Sequence, residues 1–568
     1  MHSAIPVQGE RDLLGVAMGK PSTVVFWGAG ATANLGMRVT AKQSVFILTL
    51  AGVADLSPAS LAKRVEVALG PGANAPQRKL LVDLLTILGD GTASAALHDP
   101  TGKQLAAMGR NWRAGASGDE LRARVRELRL AYDWLALQDV LRVCPGAAVG
   151  DLKINDLFNM LDMHAPLGHG FRTEQGAFLD ARRLMGAKAA LRMILHAMFY
   201  IDWQNCVRDR CRPLETYERF AEWLGRRMYQ SEPSFSGRLD RAEFIRGDIA
   251  FVSLNYDPIA LWTQFVANRR LNGAPDVGKV DGASRRIQLY HDMGHFIPSR
   301  RIEPAGRPDL WYPMNEASAQ RINEIDAAGS ERIRLSKFLF PHGCLCWREC
   351  PDCGKLSAYH GDEWSLRSPS LLPPPPLRCF DRRSAYPDLA ALDPVDRDKR
   401  EKESDLWSKG VVDARACLHC HTITTTEHAQ TVMQSSFKQT PPSFIDEIQR
   451  DLRAIVMQAD HIILMGYSLP PDDVAYRAFF AARRRRTAGG TPVRCTVVGF
   501  DHALPPLAGP GGIDPAVLAR QPAVASAREI FGEDNVRFCG EGVPGAFCGA
   551  PGVLSKLKLD ALFEWKPV

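Results

Sequence analysis

The sequence predicts an α/β fold built on a doubly wound parallel sheet, interrupted by a large helical insertion and a cysteine-rich module. Three observations carry this. Short apolar runs, at Thr23–Trp27, Asp248–Leu254, Lys337–Phe340, His461–Met465 and Val493–Val498, alternate with helix-patterned stretches over most of the chain. The runs lead directly into Gly or polar motifs, and ligands of open α/β sheets sit beyond the carboxyl ends of the strands. Between the first and second runs, about 200 residues mix Ala, Leu, Arg and Met with few strand signals.

The first run opens into Gly28-Ala29-Gly30-Ala31-Thr32-Ala33-Asn34-Leu35-Gly36, a strand–loop–helix arrangement whose small residues let a backbone cradle approach phosphates closely. Gly-x-Gly after a strand also serves as a plain tight turn. The dinucleotide fingerprint of dehydrogenases is not met: position 33 is Ala, and no strand ending in an acidic residue follows about 20 positions on. Helices are predicted over Asp119–Leu137, Ile154–Leu161, Ala177–Tyr200 and Leu214–Gln230, and together they read as an insertion or cap.

The second strand runs into Asn255-Tyr256-Asp257, residues that also suit a turn closing a strand. The third leads to Pro341-His342-Gly343, which places a histidine at a strand end. Helices follow over Ser443–Gln458 and Asp473–Arg486, on either side of the strand His461–Met465 and the turn Gly466-Tyr467-Ser468-Leu469-Pro470-Pro471. Val493–Val498 reads as the last strand of the sheet. The tail beyond Asp501 is rich in Gly, Pro and Ala and ends in a short helix around Leu554–Phe563. The basic run Arg483–Arg486 suits a solvated helix C-terminus better than a nucleic-acid contact.

Two Cys-x-x-Cys pairs, Cys350/Cys353 and Cys417/Cys420, supply four thiolates and suit a structural, tetrahedral zinc with no open position. The gap between the pairs is wider than the usual ~15–20 residues. It contains Pro373-Pro374-Pro375-Pro376 and a charged run from Asp396 to Asp405, which read as a long loop. His419 and His421 could replace a thiolate, and Cys344 or Cys346 could compete.

The bulk properties are those of an ordinary globular protein. The chain has 568 residues, 45% hydrophobic and 24% charged, so it can bury a large core. A net charge of +6 is too small at this length to call for nucleic acid or membrane binding. Residues Met1–Lys20 include Glu10, Arg11 and Asp12 and have no apolar core, so no signal peptide is expected. The apolar stretches near Val45–Val53 and Ile462–Met465 fall short of the ~20 residues that span a bilayer. A cytoplasmic protein is expected, in which 13 cysteines serve as thiols and metal ligands.

Taken in order, these pieces resemble the Sir2 (sirtuin) family, in its divergent bacterial Sir2-like branch of the antiphage-defence type. Gly28-Ala29-Gly30-Ala31-Thr32 looks like the family's Gly-Ala-Gly-Ala-Ser loop, and Leu254-Asn255-Tyr256-Asp257 like its Gln-Asn-Ile-Asp motif. Phe340-Pro341-His342-Gly343 is similar to Leu-His-Gly, and the four cysteines are similar to the zinc ribbon. Ala459-Asp460 through Gly466-Tyr467-Ser468-Leu469 is similar to the Ala-Asp…Gly-Thr-Ser-Leu strand.

The resemblance implies a Rossmann-like doubly wound parallel sheet with a small zinc-ribbon module and a large helical insertion, with NAD⁺ as substrate between sheet and module. The chain is read as a Rossmann-like core at 1–58, 246–342 and 431–510, a zinc-ribbon module with a proline-rich insertion at 343–430, and a helical insertion at 59–245 and a tail at 511–568, which the resemblance does not explain. By the same resemblance Gly28, Ala29, Gly30 and Thr32 would cradle the pyrophosphate. Asn255 would hold the nicotinamide ribose and a water, Asp257 the carboxamide, and His342 would be the general base. Gly466 and Ser468 would contact the adenosine side, with Asp501 standing where the family has an Asn. Zinc at Cys350, Cys353, Cys417 and Cys420 would be structural.

The family's Val-x-Phe-Gly-Glu segment, which binds an acyl-lysine peptide, is not matched by Met433–Pro442, so water is the expected acceptor. The implied activity is an NAD⁺ glycohydrolase. The alternatives are a protein-lysine deacylase, an ADP-ribosyltransferase or a non-catalytic NAD⁺ or ADP-ribose sensor. An activating partner protein or homo-oligomer is expected, with no membrane and no direct nucleic-acid contact.

Overall fold

The computed structural model describes residues 22–54, 58–90, 117–165, 167–173, 176–208, 212–230, 249–257, parts of 259–271, 286–292, 331–349, 356–358, 429–431, 443–485, 492–501, 509, 513 and 515–565. A seven-stranded sheet organises it. In chain order its strands are β1 (Thr23–Trp27), β2 (Ile249–Ser253), β3 (Arg286–Asp292), β4 (Glu331–Leu339), β5 (His461–Met465), β6 (Arg494–Val498) and β7 (Val536–Cys539). The spatial order is β7-β6-β5-β1-β2-β4-β3, and every pairing is parallel. From β1 the chain fills one half of the sheet and then returns to fill the other, so strand order reverses between β1 and β5. That reversal is the crevice in which doubly wound sheets bind ligands.

β1 takes the centre because all five of its residues are buried and none is charged. Such runs suit a parallel strand covered by helices on both faces. The register aligns Trp27 with Ser253 on one side and with Met465 on the other. Gly28, Leu254 and Gly466 therefore leave the sheet side by side.

The sheet differs from the sequence expectation at its edges. β3 and β7 were not expected, and β7 adds a strand within the tail. β7 is only four residues long with Arg537 inside it. Arg537 is nevertheless buried, its guanidinium donating to the Ala561 and Leu562 carbonyls and to Thr496 Oγ1.

The helices of the expected insertion are α1 (Thr40–Ala51), α2 (Leu61–Leu69), α3 (Ala75–Leu88), α4 (Gly118–Ala131), α5 (Trp134–Val143), α6 (Ile154–His164), α7 (Ala181–Arg208) and α8 (Arg212–Gln230). The stretch expected as one helix over Asp119–Leu137 is two. Asp133 interrupts it, its carboxylate capping the Ala136 N–H while its own N–H goes to the Gly186 carbonyl. One continuous apolar core joins insertion and sheet, from Phe46, Trp134, Leu161, Trp203 and Phe220 to Phe26, Phe251, Leu464 and Phe538. Ala181–Cys206, within α7, is long and apolar enough to cross a membrane, but 83% of its apolar window is buried inside the fold.

On the far side of the second half-sheet lie α9 (Ser443–Gln458), α10 (Val474–Arg485) and α11 (Pro522–Phe531). The basic run is only partly the solvated helix end that was expected. Arg483 is buried and donates to the Ala459 carbonyl at 2.8 Å, beside the end of α9. Arg484 donates to the Glu529 and Ile530 carbonyls in the last turn of α11. Both arginines close helix C-termini, where a cation is favoured.

Three further strands, Gly343–Glu349, Leu356–Ala358 and Ala429–Thr431, form a small antiparallel sheet with Gly343–Glu349 in the middle. Cys350, Cys353, Cys417 and Cys420 lie outside the described residues, as do His419, His421, the proline-rich stretch, Met433–Pro442 and the chain start. The strands ending at Glu349 and starting at Leu356 pair with each other and flank the first cysteine pair in sequence.

Candidate functional site

Four loops meet at the carboxyl edge beside the switch point. The loop after β1 forms a short helix, Ala29–Thr32, and a turn ending at Gly36 with φ +84°. It rests directly on the loop after β5: Gly28 N–H donates to the Met465 carbonyl and Gly30 N–H to the Gly466 carbonyl, both at 2.9 Å. A Cβ on Gly28 would stand 2.6 Å from the Gly466 carbonyl oxygen, and one on Gly466 would stand 2.1 Å from the Ala31 nitrogen. Gly466 also has φ +61°. These glycines are therefore required by backbone packed on backbone, a need the sequence could not distinguish from close approach to a phosphate. Leu469, two residues beyond Tyr467, is a buried non-glycine with φ +50°, so this loop is held in a costly conformation by its surroundings.

From β2 the chain delivers Asn255 and Asp257, both buried. Asn255 Nδ2 donates to Thr32 Oγ1 at 3.2 Å, and the Thr32 hydroxyl lies 3.5 Å from Asp257 Oδ2. Asp257 Oδ1 accepts the Ile259 N–H at 3.1 Å. Burial pushes the Asp257 carboxyl up to about 6, and the hydrogen bonds from Ile259, Asn255 and Thr32 only partly offset it. Asp257 thus sits poised near neutrality rather than deep in the ionised range.

His342 follows β4, which pairs with β2 through Phe251–Phe338 and Val252–Leu339, so its loop rises next to that of Asn255. The imidazole is fully buried. Its Nδ1 lies 3.1 Å from the Leu254 carbonyl, which only accepts, so Nδ1 carries the proton. Nε2 is then the lone-pair nitrogen, and it accepts from the Tyr476 hydroxyl at 2.9 Å. Burial holds the Tyr476 phenol well above its ordinary value, so it stays a neutral donor. The Tyr256 ring flanks His342 with centroids 6.3 Å apart.

Thr32, Asn255, Asp257 and His342 are thus brought together, with Gly28, Gly30 and Gly466 shaping the loops around them. Ala29 is half-buried at the head of the short helix, and Ser468 is exposed at the rim. Asp501 lies one strand further along, beyond β6, where its carboxylate accepts from Arg520 at 3.1 Å. Cys344 is buried in the core.

The helical insertion meets this edge at two hydrogen bonds. Tyr217 from α8 donates to the Ala31 carbonyl, and Asn155 from α6 donates to Asp472 beyond β5. Tyr476 and Tyr217 were not found from the sequence. Each is an ordinary helical aromatic there, and only the fold reveals its partner. Comparison with protein-family models and with curated proteins gave no match.

Proposed function

We propose that the protein is a Sir2-like NAD⁺ glycohydrolase that cleaves NAD⁺ to nicotinamide and ADP-ribose, acting in the cytoplasm as a bacterial antiphage effector. The observation that carries this reading is the convergence of Thr32, Asn255, Asp257 and His342, from three strand ends, beside the switch point. Residues scattered along the sequence fit a single reaction only if they meet, and these do.

The chemistry follows from the donors and acceptors. Breaking the C1′–N bond builds positive charge on the ribose, which nearby acceptors and dipoles stabilise. Asn255 gives its Nδ2 to Thr32, so its Oδ1 is the group offered to a ribose hydroxyl or water. Asp257 suits the nicotinamide carboxamide, whose N–H groups a carboxylate accepts. His342, with its proton fixed on Nδ1, offers Nε2 as general base once a substrate hydroxyl or water takes the place of the Tyr476 hydroxyl. The mismatch at Met433–Pro442 favours water over an acyl-lysine acceptor.

The four cysteines would hold a zinc that closes the small antiparallel sheet; two of its strands flank Cys350 and Cys353 in sequence. Such an ion is structural. With Nε2 occupied and His342 fully buried, the site is held closed. An activating partner or homo-oligomer that shifts α10 would release it. Arg483 and Arg484 already serve helix ends, which argues against direct nucleic-acid contact. The test is to incubate the protein with NAD⁺ in ¹⁸O-water and follow nicotinamide and ADP-ribose by mass spectrometry. The label is expected on ADP-ribose without any peptide; turnover that requires an acyl-peptide or protein acceptor would overturn water as the acceptor.

A further inference from the structure

Helix α10 carries Tyr476 to His342, and its position is set at its first turn. Asp473 stands just before it, and the Asp473 carbonyl accepts the Arg477 N–H at 3.1 Å, which starts the helix. The buried Asp473 carboxylate accepts the Tyr467 hydroxyl at 2.6 Å, tying the helix to the loop after β5. Tyr476 follows within the same turn. Whatever moves Asp472 and Asp473 therefore moves the hydroxyl that occupies His342 Nε2.

Asp472 is held from a distant part of the chain. Asn155, in the first turn of α6, donates its Nδ2 to the Asp472 carboxylate across 317 residues of sequence. α6 is anchored elsewhere in the insertion as well: the Ile154 N–H donates to Ser44 Oγ of α1 at 3.2 Å, and Asp162 pairs with Lys188 of α7 at 2.5 Å. α6 is thus a strut from the interior of the insertion to the start of α10.

The Asn155 contact is the weak point of that strut. A bond from an amide to a carboxylate is charge-assisted. Asn155 Oδ1, however, is buried with no hydrogen-bond partner, and an unpaired buried acceptor costs about as much as such a bond contributes. The amide cannot be turned round, because Oδ1 would then face the carboxylate. The two effects nearly cancel, so parting α6 from α10 needs little free energy and lets Oδ1 reach water.

We propose that Asn155 is a positioning residue through which the helical insertion controls the site: its bond to Asp472 holds the first turn of α10 so that Tyr476 covers His342, and withdrawal of α6 releases it. The insertion is then a regulatory arm as well as a cover. That the released site acts on NAD⁺ rests on the function proposed above; the linkage itself does not.

Carbethoxylation of His342 by diethyl pyrocarbonate, read on its peptide by mass spectrometry, reports access to the imidazole without any substrate. Asn155→Ala and Asp472→Ala are each expected to speed it roughly 3- to 10-fold, and the double variant no further, because both remove one bond. Gln77→Ala breaks the 2.8 Å bond from α3 to Asn205 of α7 without touching α6, and is expected to react like the wild type. Nicotinamide release from NAD⁺ should rise along with His342 reactivity. Faster modification with no release from NAD⁺ in any variant would keep the linkage and sink the NAD⁺ reading. A wild-type rate in Asn155→Ala, an equal rise in Gln77→Ala or additive effects in the double variant would overturn the proposal.

Discussion

Replacing Tyr476 with Phe removes one oxygen and leaves the ring in place, so it isolates the hydrogen bond that occupies His342 Nε2. In the wild type both ring nitrogens are satisfied, Nδ1 at 3.1 Å from the Leu254 carbonyl and Nε2 at 2.9 Å from the Tyr476 hydroxyl. The imidazole has no exposed surface, so water cannot reach the vacated nitrogen without rearrangement. An acceptor buried and unpaired costs about 1–3 kcal/mol, and the variant should lose that much folding stability. Catalysis moves the other way. Under the proposed function, the substrate hydroxyl would displace Tyr476 before Nε2 takes its proton, and a typical net hydrogen bond of about 0.5–1.5 kcal/mol corresponds to a 2- to 12-fold barrier to that exchange. Basal nicotinamide release by Tyr476→Phe should therefore rise by roughly that factor, even as urea melts shift downward. Unchanged stability would show that the hydrogen bond does not exist in solution. A loss of activity as deep as that of His342→Ala would make Tyr476 part of the catalytic machinery, not a lock on it.

Other consequences are as specific. Asp257 has its folded-state pKa raised to about 6 from an ordinary 3.8, so its contribution to stability is fully present below pH 3.8 and is lost as pH rises through 6. The shift corresponds to about 3 kcal/mol at most. The stability of Asp257→Asn relative to wild type should thus increase between pH 4 and pH 6.5 in denaturant titrations; a difference independent of pH would contradict the assigned burial. Buried Asp202, raised to about 6 in the same way, is common to both proteins and cancels. Gly466→Ala places a Cβ 2.1 Å from the Ala31 nitrogen at φ +61°, and should cost more than about 3 kcal/mol or prevent soluble expression. A Gly466→Ala protein that melts like the wild type would show that the two loops are not in contact. Metal analysis should find one zinc per chain, lost with Cys350→Ser or Cys417→Ser; full zinc content in both variants would exclude the cysteine pairs as ligands.

Much of this was legible in the sequence because the central strands are extreme. Val24, Val25 and Phe26, and Ile462, Ile463 and Leu464, are uninterrupted β-branched and aromatic-rich apolar runs that suit a strand covered on both faces. The motif residues were legible because each stands at the end of such a strand, and strand register then brings the ends together. What stayed hidden depends on long-range packing. β7 is short and carries Arg537, whose partners Ala561 and Leu562 lie in the last helix, so its burial has no local signature. Tyr476 is one of several aromatics in α10, and its partner is 134 residues away. Gly28 and Gly466 declared a need for small residues but not the reason, which is each other's backbone. Composition suits the basic run to solvent, while Arg483 finds a carbonyl that only tertiary structure presents.

In the proposed function, Asn255 and His342 act together in cleaving NAD⁺ at this edge of the sheet. Nicotinamide release at saturating NAD⁺, measured in the Tyr476→Phe background alone and combined with Asn255→Ala or His342→Ala, tests it with the lock already removed. Turnover in the single variant and loss of at least about 100-fold in both combinations is the predicted result. Turnover that survives both substitutions would contradict it, and so would its absence from Tyr476→Phe and wild type alike.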